Sequence, residues 1–119
     1  SELEVWGDGS PVRDFIHARD VALGMLHAVK NKITEPINLG SGSGVKIKEI
    51  AEVIAERYNK EIKWLTDGPA GDPRRVFDME RARSYGFEPS ISIRQGILET
   101  IEWFEQHKNI VDKRYNVFG

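Results

Sequence analysis

An α/β fold of short strands with three to four helices is the class this chain predicts. Three observations carry it: apolar repeats at helical spacing, short β-branched or alternating segments, and Gly/Pro-rich turns separating them. The 119 residues, 30% charged and 39% hydrophobic, suit one globular unit able to bury about two thirds of its unfolded surface. Lys plus Arg number 17 against 19 Asp plus Glu, for a net charge of -2. That balance gives no electrostatic reason to expect nucleic acid or an anionic membrane as partner. Cysteine is absent, which removes disulfides, thiolate metal sites and thiol nucleophiles together. No apolar run approaches the roughly 20 residues of a membrane span, and Ser1-Glu2-Leu3-Glu4 has no signal-peptide character. A soluble, cytoplasmic chain is therefore expected. Leu3-Glu4-Val5-Trp6 reads as the middle of an element, so the chain is also expected to be a fragment of something longer.

The first segment, Val12 to His17, is β-branched and aromatic and follows the turn Gly7-Asp8-Gly9-Ser10-Pro11, so it predicts a strand. Val21, Ala22, Met25, Leu26 and Val29 then form one apolar stripe at helical spacing, predicting a helix from about Arg19 to Lys30. Pro36-Ile37-Asn38-Leu39 predicts a short strand running into the glycine run Gly40 to Gly44. Ile47, Ile50, Ala51, Ile54, Ala55 and Tyr58 give the clearest amphipathic helix, poorly capped because Lys46 stands where Ser or Thr would accept free amides. Glu61 to Leu65 alternates as a half-buried strand does, and Thr66 to Pro73 is a loop by composition. Asp78 and Gly86 bracket a short helix. Ser92 and Gln95 form a capping box ahead of Ile93, Ile97, Leu98, Ile101 and Phe104. Residues 109–119 have no periodicity but keep Ile110, Val111, Tyr115, Val117 and Phe118, an apolar tail expected to pack on something.

The glycine run between a strand and a helix invites a dinucleotide reading, yet Val45 stands where a third glycine is needed and no acidic residue follows at the right distance. A flexible turn fits better than a phosphate site. His17, His27 and His107 have neither metal spacing nor a companion carboxylate pattern, so no metal is assigned. Serine occurs without a nucleophile elbow. Asp14, Asp20 and Asp78 are acid and base candidates at element ends, where capping is the commoner role. Arg13 begins a strand after a turn, and Arg74 and Arg75 follow the Gly-Pro loop; fixed guanidinium groups at such edges fork onto phosphate oxygens. Spacing leaves open a shared anion site and separate solvated arginines. Trp6 is either an aromatic platform or a core residue.

Val5-Trp6-Gly7-Asp8-Gly9-Ser10-Pro11-Val12-Arg13-Asp14-Phe15-Ile16-His17, with Asp20-Val21-Ala22, resembles the signature opening the C-terminal part of extended short-chain dehydrogenase/reductases acting on nucleotide sugars. The resemblance continues through Ile37 to Gly42, Ile47 to Ala51, Pro73 to Asp78, Gly96-Ile97 and Trp103. It covers residues 1–108, leaving 109–119 outside. Trp6-Gly7 and Pro73-Arg74-Arg75 are most similar to GDP-fucose synthases, within the NAD-dependent epimerase/dehydratase family. The resemblance implies a Rossmann-type fold, of which this is the C-terminal, nucleotide-sugar-binding part. It implies that Arg13 contacts a substrate diphosphate and that Trp6 and Arg75 line the same site.

The family's glycine-rich NAD(P) turn and Tyr-x-x-x-Lys pair have no match here, since Tyr58, Tyr85 and Tyr115 are followed at the fourth position by Ile62, Pro89 and Gly119. The resemblance thus assigns this chain no catalytic or cofactor-binding residue, and places NAD or NADP in the complete enzyme. Two other readings stand beside it. One is a noncatalytic fragment that self-associates into a homo-oligomer or pairs with a separate partner chain in place of the cofactor domain. The other is an unrelated small α/β binding domain.

Overall fold

The computed structural model describes residues 1–69 and 71–111. Strands β1 (Glu2–Trp6), β2 (Val12–Asp14), β3 (Gly44–Lys46), β4 (Glu61–Leu65) and β5 (Arg74–Arg75) alternate with helices α1 (Ala18–Lys30), α2 (Ile47–Tyr58), α3 (Glu80–Ser84) and α4 (Ile93–Val111). The α/β class expected from the sequence is the one observed.

The strands form two small sheets. In one, β1 runs parallel to β4, with Leu3 opposite Ile62 and Trp6 opposite Leu65. In the other, β2 lies in the middle, antiparallel to β3 and parallel to β5. Gly9 joins the two: it is buried at φ +77°, and a Cβ there would lie 2.6 Å from the Trp64 ring. Only glycine suits both that angle and that space.

Helix α2 begins at Ile47 as its apolar repeat demands, burying Ala51 and Ala55. The missing side-chain cap is supplied otherwise. Glu49 accepts the Lys46 amide at 2.7 Å, while the carbonyls of Pro11 and Gly9 accept the amides of Ile47 and Lys48, each at 3.0 Å. The turn before β2 thereby fixes where α2 starts. Helix α4 packs on α2 and is tied to it by Arg94 to Glu56 at 3.0 Å and by the Tyr58 hydroxyl to Glu105 at 2.6 Å. Its capping box is half formed: Ser92 accepts the Gln95 amide, but the Gln95 side chain donates to Glu99 instead. Asp78 accepts the Glu80 amide at 2.9 Å ahead of α3, and Gly86, at φ +84°, ends the turn that follows.

Two expectations are corrected. Strand β2 stops at Asp14, because Phe15 to His17 turn so that the His17 ring accepts the Arg19 amide and caps α1. Residues 36–39 are not a strand; Ile37 and Leu39 pack against the Met79, Ala82 and Phe87 core, and Asn38 donates to the Asp78 carbonyl at 3.0 Å. The strand of this region is β3, which begins at Gly44, where the glycine run ends. The α1 stripe is largely open: Met25, Leu26 and Val29 are 60%, 65% and 78% exposed, and the buried positions are Asp20 and Gly24. Gly24 allows close approach, since a Cβ there would sit 2.7 Å from Leu39 and 3.0 Å from Phe87. The tail expectation falls on 109–119; α4 continues through Val111, and residues 112–119 lie outside the described residues.

Asp20, 1% exposed, fastens α1 from its polar side. Its carboxylate accepts the Ile91 amide at 2.9 Å and the Ser90 amide and hydroxyl at 3.1 Å each. Burial pushes this carboxyl's pKa up, but those hydrogen bonds and nearby His17 together pull it below the ordinary value. A lowered carboxyl stabilises the fold above the unfolded-state pKa, and that contribution fades as pH falls through the folded one. Asp20→Asn is expected to cost about 1.5–3 kcal/mol at neutral pH. In denaturant titrations from pH 7 to pH 3, its loss of stability with acid should be shallower than that of the parent.

Candidate anion-binding site

The parallel register of β2 and β5 sets Arg13 directly opposite Arg75, and Val12 opposite Arg74. Side chains opposite one another on neighbouring strands share a face, so two guanidinium groups that sequence spacing left unconnected stand side by side. They line one cleft of about 540 Å3 with Asp14, Arg74, Val76 and Phe77.

Asp72, in the loop leading into β5, bonds to both arginines. Its backbone carbonyl accepts Arg13 Nη1 at 2.8 Å, and its carboxylate accepts Arg75 Nε at 2.7 Å together with Nη2 of the same fork. Arg13 Nη1 also reaches its neighbour's carbonyl, on Val12, at 2.8 Å. The sequence reading passed over Asp72; the signal present was an acidic residue three positions before Arg75, with Gly71 and Pro73 on either side. It also passed over Phe77, half exposed at the cleft wall, whose signal was its place two residues beyond Arg75 along an extended segment.

Asp14, the next residue after Arg13, does not serve as an acid or base. Its Oδ1 accepts the Ser41 amide at 2.7 Å and hydroxyl at 2.6 Å, and its Oδ2 accepts the amides of Gly42 at 2.9 Å and Phe77 at 3.2 Å. Burial raises its pKa, but the bonds from Ser41, Gly42 and Phe77 outweigh that and hold it below the ordinary value. The glycine loop's amides are thus already spent on an internal carboxylate. With Gly42 at φ +70°, the loop is a nest for Asp14 rather than a cradle for phosphate.

Trp6 is not brought to the arginines. It ends β1 in the other sheet, 86% exposed, and is absent from the cleft. His17, expected to lack a companion carboxylate, has one in Glu99, with Nε2 3.4 Å from Oε2 and Arg19 at the same distance. These groups edge a groove of about 480 Å3 walled by Ile54, Ile91, Ile97 and Trp103. His27 is held by the Tyr85 carbonyl at 2.6 Å beside Phe87. Among the described residues, no cluster of three or more His, Cys, Asp or Glu side chains suited to a metal ion occurs, and no helix is long and apolar enough to cross a membrane.

Residues 1–40 match the NAD dependent epimerase/dehydratase family. A putative GDP-L-fucose synthase 2 of Arabidopsis thaliana is 37% identical over 116 residues, which is 95% of this chain and 35% of that protein. An epimerase of Methanothermobacter thermautotrophicus shares the fold with a TM-score of 0.81 at 28% identity, covering 95% of this chain and 35% of that one. A dTDP-glucose 4,6-dehydratase of Bacillus anthracis, solved with NAD, gives 0.78 at 27%, covering 92% and 36%. The chain therefore spans about a third of the proteins it resembles.

If Asp14 holds the glycine loop as described, Asp14→Ala releases the amides of Ser41 and Gly42. Amide hydrogen exchange at those two positions is expected to accelerate by about 10- to 100-fold, the equivalent of one hydrogen bond to a charged group. Unchanged protection there would remove Asp14 as the loop's anchor.

Proposed function

We infer, from this chain's kinship with the NAD dependent epimerase/dehydratase family, that it is the nucleotide-sugar-binding part of an epimerase, dehydratase or synthase of that kind. The observation that carries this reading is the register of Arg13 with Arg75 on adjacent parallel strands. Two paired guanidinium forks suit the tandem oxygens of a diphosphate, because each can meet one phosphoryl group with two parallel donors. Phe77 adds an aromatic wall to the cleft, and Trp6 is assigned to the same ligand as a platform for its base or ribose, reached from the neighbouring sheet.

NAD or NADP belongs to the complete enzyme and supplies its hydride chemistry. The residues here do not fit a dinucleotide pyrophosphate, because the amides of Ser41 and Gly42 are donated to Asp14. We therefore place the cofactor, the Tyr-x-x-x-Lys pair and the chemical step on a cofactor domain outside these 119 residues. The uncovered α1 stripe of Met25, Leu26 and Val29 supports such a domain or a separate partner chain as its cover. It also favours the second reading, a noncatalytic module that associates through this face. Cytoplasmic location goes with the first reading.

Isolated protein freed of host epimerases is expected to turn over no nucleotide sugar with added NAD or NADP; turnover would place the chemistry inside this chain. Arg13→Ala should weaken binding of a nucleotide-diphosphate sugar by about 1.5–3 kcal/mol by calorimetry, and Arg13→Lys should recover only part, since lysine keeps the charge but loses the fork. On the second reading, sedimentation at tens of micromolar shows a dimer or larger species, and Leu26→Glu returns it to monomer.

A further inference from the structure

The arginine cleft holds two aspartates with different commitments. Among the groups at the arginine cleft, Asp14 is fully committed to the glycine loop by four hydrogen bonds. Asp72 is different. Its carboxylate touches Arg75 through one oxygen, Oδ2, and the pair is open to water, with side-chain exposures of 56% for Asp72 and 73% for Arg75. Exposed ion pairs of this type are weak and easily exchanged.

We propose that the Asp72 carboxylate is an internal stand-in for a ligand phosphate: it holds the Arg75 fork in place while the cleft is free, and an arriving diphosphate must displace it. This rests on the diphosphate reading given above and adds to it a device that sets affinity. Asp72 Oδ2 accepts both Nε and Nη2 of Arg75, the two N–H donors that a phosphoryl group would take, so the two anions compete for them. The two roles of Asp72 are separable. Its backbone carbonyl, which tethers Arg13 at 2.8 Å, persists in any side-chain variant. Only the carboxylate competes, and its negative charge also opposes an incoming anion. A ligand with one phosphate on Arg13 leaves the Asp72–Arg75 pair closed. A ligand with two adjacent phosphates has an oxygen to offer Arg75 in exchange, so Asp72 makes the cleft selective for the tandem anion.

Inorganic pyrophosphate is the probe, titrated calorimetrically into the full chain at fixed low ionic strength. Asp72→Asn should bind it about three- to tenfold more tightly than the parent, with Asp72→Ser showing the same gain. The gain should vanish when Arg75 is replaced, so that Asp72→Asn with Arg75→Ala matches Arg75→Ala alone. Unchanged or weaker binding by both Asp72 variants overturns the proposal, as does a gain that survives the loss of Arg75. Binding to the parent that Arg13→Ala abolishes, with no gain in the Asp72 variants, refutes the stand-in while the diphosphate reading stands. No pyrophosphate binding in the parent or in either Asp72 variant overturns both.

Discussion

The half-buried Asp14 carboxylate has both of its oxygens taken up by hydrogen bonds from within the fold. Its four hydrogen bonds come from two distant parts of the chain, the glycine loop at Ser41 and Gly42 and the segment after β5 at Phe77. Removing water from a carboxylate is costly, and a partly bonded one would be worse than an apolar residue. The arrangement is therefore all or nothing, and geometry follows from it. Fixing Phe77 on Asp14 sets the register of β5 against β2, which puts Arg75 opposite Arg13. Asp20 repeats the device for α1, whose polar side it binds to Ser90 and Ile91. Two aspartates thus do for this small domain what a larger apolar core does elsewhere.

Helices were the most legible part of the sequence, because a repeat of 3.6 depends only on neighbours a turn away. Ile47 to Tyr58 and Ile93 onward appear where their apolar positions put them. Strands were less so. Glu61 to Leu65 could be read from its alternation, but β5 is two arginines long and exists only through its partner. Pro36 to Leu39 has strand composition without a neighbouring strand among the described residues, so its apolar side chains pack on Met79 and Phe87 instead. The α1 stripe located its helix but not what lies over it. Periodicity reports that a face is apolar, and what covers it is decided by chain that periodicity does not see.

The site divides the same way. Arg13 and Arg75 were legible as phosphate-type residues, and family resemblance joined them, whereas spacing alone left them apart. The β2–β5 register supplies the physical reason they meet. Asp72 and Phe77 were missed because their importance comes from the partner strand. Trp6 shows the converse: an aromatic beside a turn is easy to notice, and its position in the other sheet is not. The glycine run shows that a loop rich in amide donors is no anion site once a neighbouring aspartate has filled it.

The bonds that define this domain are long in sequence. Asp14 reaches residues 27, 28 and 63 positions away, and Asp20 reaches 70 and 71. Strand β1 meets β4 at a comparable remove, Glu4 taking Lys63 from 59 positions off. Helices α2 and α4 can flicker into shape within microseconds, yet local caps such as Glu49 on Lys46 and Ser92 on Gln95 hold them only weakly. Cooperative folding must wait for the chain to close those wide loops and bury Asp20 as it does so, a sequence of events with a high contact order and a correspondingly slow rate. The hydrogen bonding of Asp14 and the dehydration of Asp20 then belong late in that process, which makes the same two carboxylates that hold the finished domain the natural gate on how fast it forms.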